Sequence, residues 1–201
     1  MRIKRFIGGN LESNGYVISR QNGGDCYIID PGYKPDVFIQ YIKEENLRPQ
    51  GILLTHNHYD HVGGVSKIRN VLGSSSMMHA GDADRYREPI DRMLQDKDQL
   101  LLDGEVIQVL HTPGHTSGSV CFCLPESKIV FTGDTIFNVD LGRSDLATGS
   151  EVQMRTSCRN VIDRWSNDMF IYPGHGDGCN MKKVRQINNE FLQMLKGTNG
   201  G

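Results

Sequence analysis

The chain has 201 residues, 37% of them hydrophobic, and its 23 glycines bring it into the composition range of globular domains large enough to bury a full core. Lys and Arg number 22 against 24 Asp and Glu, a net charge of -2 with no basic run to track a phosphate backbone, so nucleic acid is not an expected partner. No apolar window is long enough to span a membrane, and "MRIKRFIGGNLES" lacks the apolar stretch and cleavage site of a signal peptide, so a cytoplasmic protein with no membrane partner is expected.

In chain order, "MRIKRFI", "NGYVISR" and "DCYIID" read as strands, the third closed by the turn "PGY". "PDVFIQYIKEEN" follows as a helix, with Val37, Phe38, Tyr41 and Ile42 on one face behind a proline in the first turn. "GILLT" is a short, continuously apolar run, the pattern of a strand buried on both faces. "VGGVSKIRNVLG" is predicted helical with Gly73 as its stop, "SSMMHA" is a candidate strand, and residues 81–97 lean helical without a clear period. Three more strands, "EVIQVLHT", "GSVCFCLP" and "KIVFTGD", precede the helix "SEVQMRTSCRNVIDRW", the strand "MFIYPG" and a closing helix "MKKVRQINNEFLQMLK". Strands then helix, twice over, predict an α+β fold of four layers, an αβ/βα sandwich in which two mixed β-sheets pack face to face under outer helices. One domain is expected over 1–201, with its core at about 1–196 and a flexible tail at 197–201.

Five cysteines with no C-x-x-C pair read as reduced thiols. Cys121 and Cys123 belong to a strand pattern and are expected to pack; Cys179, close after His175, is the one placed near other chemistry.

That chemistry begins in "THNHYDHVGG". His56 and His58 are two apart, so on an extended segment both imidazoles point the same way and suit one metal. Asp60 and His61 follow as the chain turns and are free to face a second metal, while Gly63 and Gly64 let backbone pass close by. Three strand-end loops supply further donors: His115 in "HTPGHTSGS", Asp134 in "FTGDTIF" and His175 in "IYPGHGDG".

Taken together, "THNHYDHVGG", "TPGHTSGS", "TGDTIF…GRSD" and "YPGHG" resemble the successive motifs of the metallo-β-lactamase-fold superfamily, and within it the compact glyoxalase II (hydroxyacylglutathione hydrolase)-like proteins. The resemblance runs from about Asn14 to Leu195. It implies that His56, His58 and His115 bind one metal, that Asp60, His61 and His175 bind another, and that Asp134 bridges both. Nitrogen and oxygen ligands without thiolate suit two Zn²⁺, with Fe or Mn able to occupy the same cage. Water held by such a pair loses its proton near neutral pH and attacks a carbonyl, with Asp60 and Asp134 orienting it. A thiol leaving group departs without a general acid, so a small-molecule acyl thioester is the expected substrate. A mononuclear-iron persulfide dioxygenase, using the residues matching His56, His115 and Asp134, is the alternative, as is a lactonase or other ester hydrolase of the same fold. β-Lactam-opening relatives usually lack the aspartate at the Asp134 position, which disfavours that activity.

Arg143, Lys182 and Lys183 are candidate substrate contacts, although for Arg143 a salt bridge with Asp145 or another carboxylate is slightly favoured over substrate contact. Asp30 is expected either to support the ligands or to form the turn in "IIDPGY". His79 reads as a packed or capping residue near the mouth of the site, and His111 has no catalytic role by strand alternation.

Overall fold

A computed structural model describes residues 1–196, and the expected tail at 197–201 lies outside the described residues. The first half forms one mixed sheet. Strands β1 (Arg2–Gly8), β2 (Ser13–Ser19) and β3 (Asp25–Ile29) form an antiparallel meander. Helix α1 (Pro35–Glu44), with Pro35 in its first turn, crosses over to β4 (Arg48–Leu54), which lies parallel to β3. Helices α2 (Tyr59–Val62) and α3 (Val65–Leu72) lead to β5 (Ser76–His79), and the short α4 (Ala80–Ala83) precedes β6 (Arg92–Leu94), the strand order being β1-β2-β3-β4-β5-β6.

The second half repeats the plan. Strands β7 (Gln99–Leu102), β8 (Glu105–His111), β9 (Val120–Leu124) and β10 (Ile129–Gly133) run antiparallel, and α5 (Glu151–Asn160) crosses to β11 (Phe170–Pro173), parallel to β10. The two-residue strand β12 (Cys179–Asn180) turns back along β11, followed by α6 (Met181–Ile187) and α7 (Asn189–Leu195), and the order is β12-β11-β10-β9-β8-β7.

Strand alternation sorts the apolar residues into three layers. Tyr16, Ile18, Leu53, Val120 and Phe122 meet between the sheets. Val17, Ile52 and Leu54 face the other way, onto Phe38, Ile42 and Ile68 of α1 and α3. Cys121, Cys123 and Val130 pack beneath Met154, Val184 and Phe191 of α5 to α7. Each sheet is therefore covered on both faces, which is why its central strands read as unbroken apolar runs. The architecture is the predicted four-layer sandwich. All five cysteines are free and buried, Cys179 included, and burial pushes the Cys26, Cys121 and Cys158 thiols up to about 12.

Local structure departs from expectation in three places. The helix-leaning 81–97 stretch yields only α4 before β6, because "RML" is drawn into pairing along the edge of β5. "QLLL" is a strand joined to β8 through Asp103 and Gly104, both at positive φ, a tight hairpin whose Asp-Gly signature was present in the sequence. The closing helix is broken at Asn188, whose side chain accepts from the Phe191 N–H and donates to the carbonyls of Phe137 and Asp140.

Candidate metal centre

The loops leaving β4, β8, β10 and β11 gather at one edge of the sandwich, over the seam between the sheets. β4 ends at Leu54, His58 sits in extended conformation at the N-terminus of α2, and Asp60 and His61 occupy that helix's first turn. The predicted change of direction after His58 is thus a single helical turn. His115, Asp134 and His175 arrive from the second sheet's strand ends.

Two groups among the described residues could each hold a metal ion, His56 with His58 and His115, and Asp60 with His61 and His175, the ligand atoms of each lying within 4.8 Å of one another. Asp134 stands against both. Its carboxylate is 3.5 Å from His115 Nε2 and 3.9 Å from His56 Nε2 on one side, and 3.4 Å from the Nε2 atoms of His61 and His175 on the other. Asp60 Oδ2 lies 3.2 Å from His175 Nε2 and 3.3 Å from His61 Nε2. A third combination, Asp30 with His56 and His61, is accounted for by hydrogen bonds, since Thr55 and His61 engage that carboxylate.

The hydrogen bonds behind the rings set their tautomers. His115 Nδ1–H donates to the Arg143 carbonyl at 2.8 Å and His175 Nδ1–H to the Leu11 carbonyl at 2.9 Å, because a carbonyl can only accept. The Thr55 hydroxyl donates to Asp30 Oδ2 at 2.6 Å, so it accepts from His56 Nδ1–H at 2.9 Å, and His61 Nδ1–H faces the same Asp30 oxygen at 3.3 Å. In its neutral form each of these four imidazoles turns its Nε2 lone pair inward. His58 Nδ1 faces His115 Nε2 at 2.9 Å, and His61 Nε2 faces His175 Nε2 at 3.3 Å.

Lone pairs converging on lone pairs need a cation among them. Two of the acceptors, His56 Nε2 and Asp134 Oδ1, are buried without any hydrogen-bond partner. Ligands about 2.0–2.1 Å from a tetrahedral ion stand roughly 3.3 Å apart. The spacings of 3.2 to 3.5 Å between Asp60, His61, His115, Asp134 and His175 match that figure. The donor set fits divalent metal.

Electrostatics in the metal-free chain follow from the same packing. Burial, reinforced by His61 and His115, holds His56 well below the ordinary histidine range, and burial with His115 lowers His58. Burial acts in the same direction on His61 and His175 but is overcome: Asp134, Asp30 and Asp60 raise His61 well above its usual value, and Asp134 and Asp60 raise His175 to about 9. Asp60 and Asp134 are held below the ordinary carboxylate range, because contacts with His175 and His61 outweigh their desolvation.

Several supporting residues have no counterpart among the motif ligands. Asn14 donates to the carbonyls of Pro173 and Gly176, and the Tyr16 hydroxyl to Pro173, pinning the His175 loop to the first sheet. Asp30 takes up a left-handed backbone conformation, φ 46, and both supports the ligands and turns the chain. A Cβ on Gly174 would lie 2.1 Å from Asp134 Oδ1, so only glycine fits beside that carboxylate.

A cavity of about 480 Å³ opens over the centre, walled by His58, Asp60, His115, Asp134, His175 and Arg143, with Leu11, Tyr59 and Leu146 at its rim. Arg143 lines it, but its guanidinium is held in a two-pronged pair with Asp145, 2.8 Å at each prong. Lys182 and Lys183 do not line it. Because β12 doubles back along β11, α6 starts near Asn167, at the opposite end of β11 from His175, and the substrate contact expected of these lysines finds no support in that position. His79 caps α4 by accepting from Gly81 N–H, and stacks on His111 with ring centroids 4.0 Å apart.

The sequence profile of the Metallo-beta-lactamase superfamily matches residues 8–175, most of the chain and all seven converging side chains. The chain belongs to the metallo-beta-lactamase superfamily. Its fold binds divalent metals, and membership makes this protein a metal-dependent hydrolase. It is similar to hydroxyacylglutathione hydrolase GloC of Haemophilus influenzae, 33% identical over 183 residues that cover 82% of this chain and 86% of that one. Among solved structures it resembles BLEG-1 B3 metallo-beta-lactamase, with a TM-score of 0.88 and 27% identity over 98% of this chain and 100% of that one. It also resembles TTHA1623 in a di-iron-bound form, with a TM-score of 0.80 and 30% identity over 92% and 98% of the respective chains. No helix among the described residues is long and apolar enough to cross a membrane.

Proposed function

We propose that this superfamily member hydrolyses small acyl thioesters at a dinuclear metal centre, in which His56, His58 and His115 hold one ion, Asp60, His61 and His175 hold the other, and Asp134 contacts both. The observation that carries the reading is the convergence of those side chains, with inward lone pairs set by Thr55, Asp30, Arg143 and Leu11 and with two buried acceptors left over for a cation. The metals, zinc in this reading, supply Lewis acidity, lowering the pKa of water and stabilising negative charge on an attacked carbonyl oxygen.

The protein's own groups do the rest. Asp60 and Asp134, anionic across the neutral range, accept hydrogen bonds from an attacking water and aim its remaining lone pair at the cavity. Leu11, Tyr59 and Leu146 at the rim shield the reacting carbonyl from bulk water. Among the described residues the carboxyl groups lining the cavity, Asp60 and Asp134, are both held ionised, so a leaving group that departs as an anion is favoured; a thiolate does so, an alkoxide does not. The similarity to a hydroxyacylglutathione hydrolase points the same way.

Iron is the competing metal, since a similar protein has been solved in a di-iron form. Elemental analysis of the purified protein, followed by a panel of acyl thioesters read through thiol release, tests the proposal. Two ions per chain and thioester turnover support it. One iron with oxygen uptake on a glutathione persulfide, or turnover confined to a lactone or a chromogenic cephalosporin, refutes it.

A further inference from the structure

Asp82 lies on α4, outside every metal-binding motif, and its side chain is fully buried. A carboxylate out of water persists only where donors surround it. Here no lysine or arginine among the described residues pairs with it; the donors are three groups on two loops. Asp82 Oδ2 accepts from the Asn57 backbone N–H at 3.0 Å and from the Thr116 hydroxyl at 2.8 Å, and Oδ1 accepts from the Gly118 N–H at 2.7 Å. Asn57 sits between His56 and His58, and Thr116 follows His115. One loop leaves the first sheet and the other belongs to the second, so a single buried carboxylate ties together the segments that carry the first ligand group. Gly118 is part of the same fit, since a Cβ there would come within 2.6 Å of the Asp82 carboxylate. The other ligand group is held by different residues, Asp30 behind His61 and Asn14 beneath the His175 loop.

We infer that Asp82 is a positioning residue for the His56, His58 and His115 group alone: it sets the gap across which His58 and His115 face each other at 2.9 Å. The inference rests on the reading of this cluster as a two-ion centre. Asp82→Asn exchanges one acceptor oxygen for an NH₂ group, which must then face an N–H or O–H donor whichever way the amide is turned. The two loops lose their common anchor.

The test uses full-length protein stripped with a chelator and titrated with Zn²⁺ against a chromogenic competitor, and in parallel with Co²⁺, whose absorption reports coordination geometry. Wild type takes two ions. Asp82→Asn is expected to bind one of them about 10–100-fold more weakly and to change the cobalt spectrum of that ion only, with the second unaltered. Thr116→Val removes one of the three donors without changing shape and is expected to weaken the same ion several-fold, which keeps the test open if Asp82→Asn does not fold. Asp91→Asn is the structural control: that carboxylate holds Ser76 far from the centre, and its loss should lower thermal stability while leaving both ions in place. Unchanged binding and spectra in Asp82→Asn and Thr116→Val, equal weakening of both ions, or the same selective loss in Asp91→Asn would each overturn the inference. A wild type that takes no ion overturns the two-ion reading itself.

Discussion

Replacing Thr55 with valine tests the link between the hydrogen bonds behind the rings and the metal in front of them. The Thr55 hydroxyl accepts from His56 Nδ1–H at 2.9 Å and donates to Asp30 Oδ2 at 2.6 Å, in a region closed to water. Valine keeps the shape and deletes both bonds. Each is worth about 1 kcal/mol, and the imidazole N–H left buried without a partner carries a penalty of about 1–3 kcal/mol, part of which the added methyl offsets by apolar burial. A net loss of about 2 kcal/mol lowers the melting temperature of a domain of this size by about 4–8 °C. The ring can escape the penalty only by moving its proton to Nε2, which removes the lone pair the metal needs, so affinity for that ion should fall about 10–100-fold. Thermal unfolding of metal-free protein and competitive Zn²⁺ titration measure the two effects, and Thr55→Ser should restore both. A valine variant that melts and binds like wild type would show that the hydroxyl does not set the His56 tautomer.

Gly174→Ala puts a methyl 2.1 Å from Asp134 Oδ1 and 2.8 Å from His61 Cε1, so it should displace the shared carboxylate and lower occupancy of both ions in elemental analysis; loss of one ion alone would argue against sharing. Tyr16→Phe removes the bond to the Pro173 carbonyl, which Asn14 still satisfies, and should cost about 1 kcal/mol in denaturant unfolding with the ion count unchanged. In metal-free protein, His61 and His175 have raised folded pKa values, so their stabilisation is complete below 6.5 and is lost as pH rises, for His175 through about 9. His56 and His58 have depressed values, so their neutral burial costs stability as pH falls below 6.5. Metal-free stability should therefore peak near pH 6.5 in a pH series of melts. Metal binding at pH 7 should release the protons that the aspartates draw to His61 and His175, and affinity should climb toward pH 9; calorimetry in buffers of different ionisation enthalpy counts them.

The ligand candidates were legible because the chemistry demands particular side chains at strand ends, and strand ends are marked by Pro-Gly turns: "TPGH" and "YPGH" announce both an imidazole and its loop. The layered fold was legible for a similar reason, since a sheet covered on both faces must read as continuous apolar runs such as "GILL" and "VCFCL". Thr55 and Asp82 were not. Thr55 meets the Asp30 carboxylate only because β3 and β4 end side by side, the partners of Asp82 are backbone groups and a hydroxyl on loops brought together by the docking of two sheets, and a buried aspartate in "HAGDAD" looks the same on paper as a solvated one. Lys182 and Lys183 misled because nearness in sequence to His175 was taken for nearness in space, and a two-residue strand reversed the chain between them. The weak pairing of "RML" escaped because an edge strand of that length carries no period.

Each ligand group draws two side chains from the first half of the chain and one from the second, with Asp134 also from the second. Neither half supplies the whole of either ligand group. During synthesis the nascent first sheet emerges with His56, His58, Asp60 and His61 but without the histidine that closes either trio, so tight capture of an ion waits until both halves have docked. In the proposed two-ion centre the ions would then rivet two separately built pieces, and prising the sheets apart would release them.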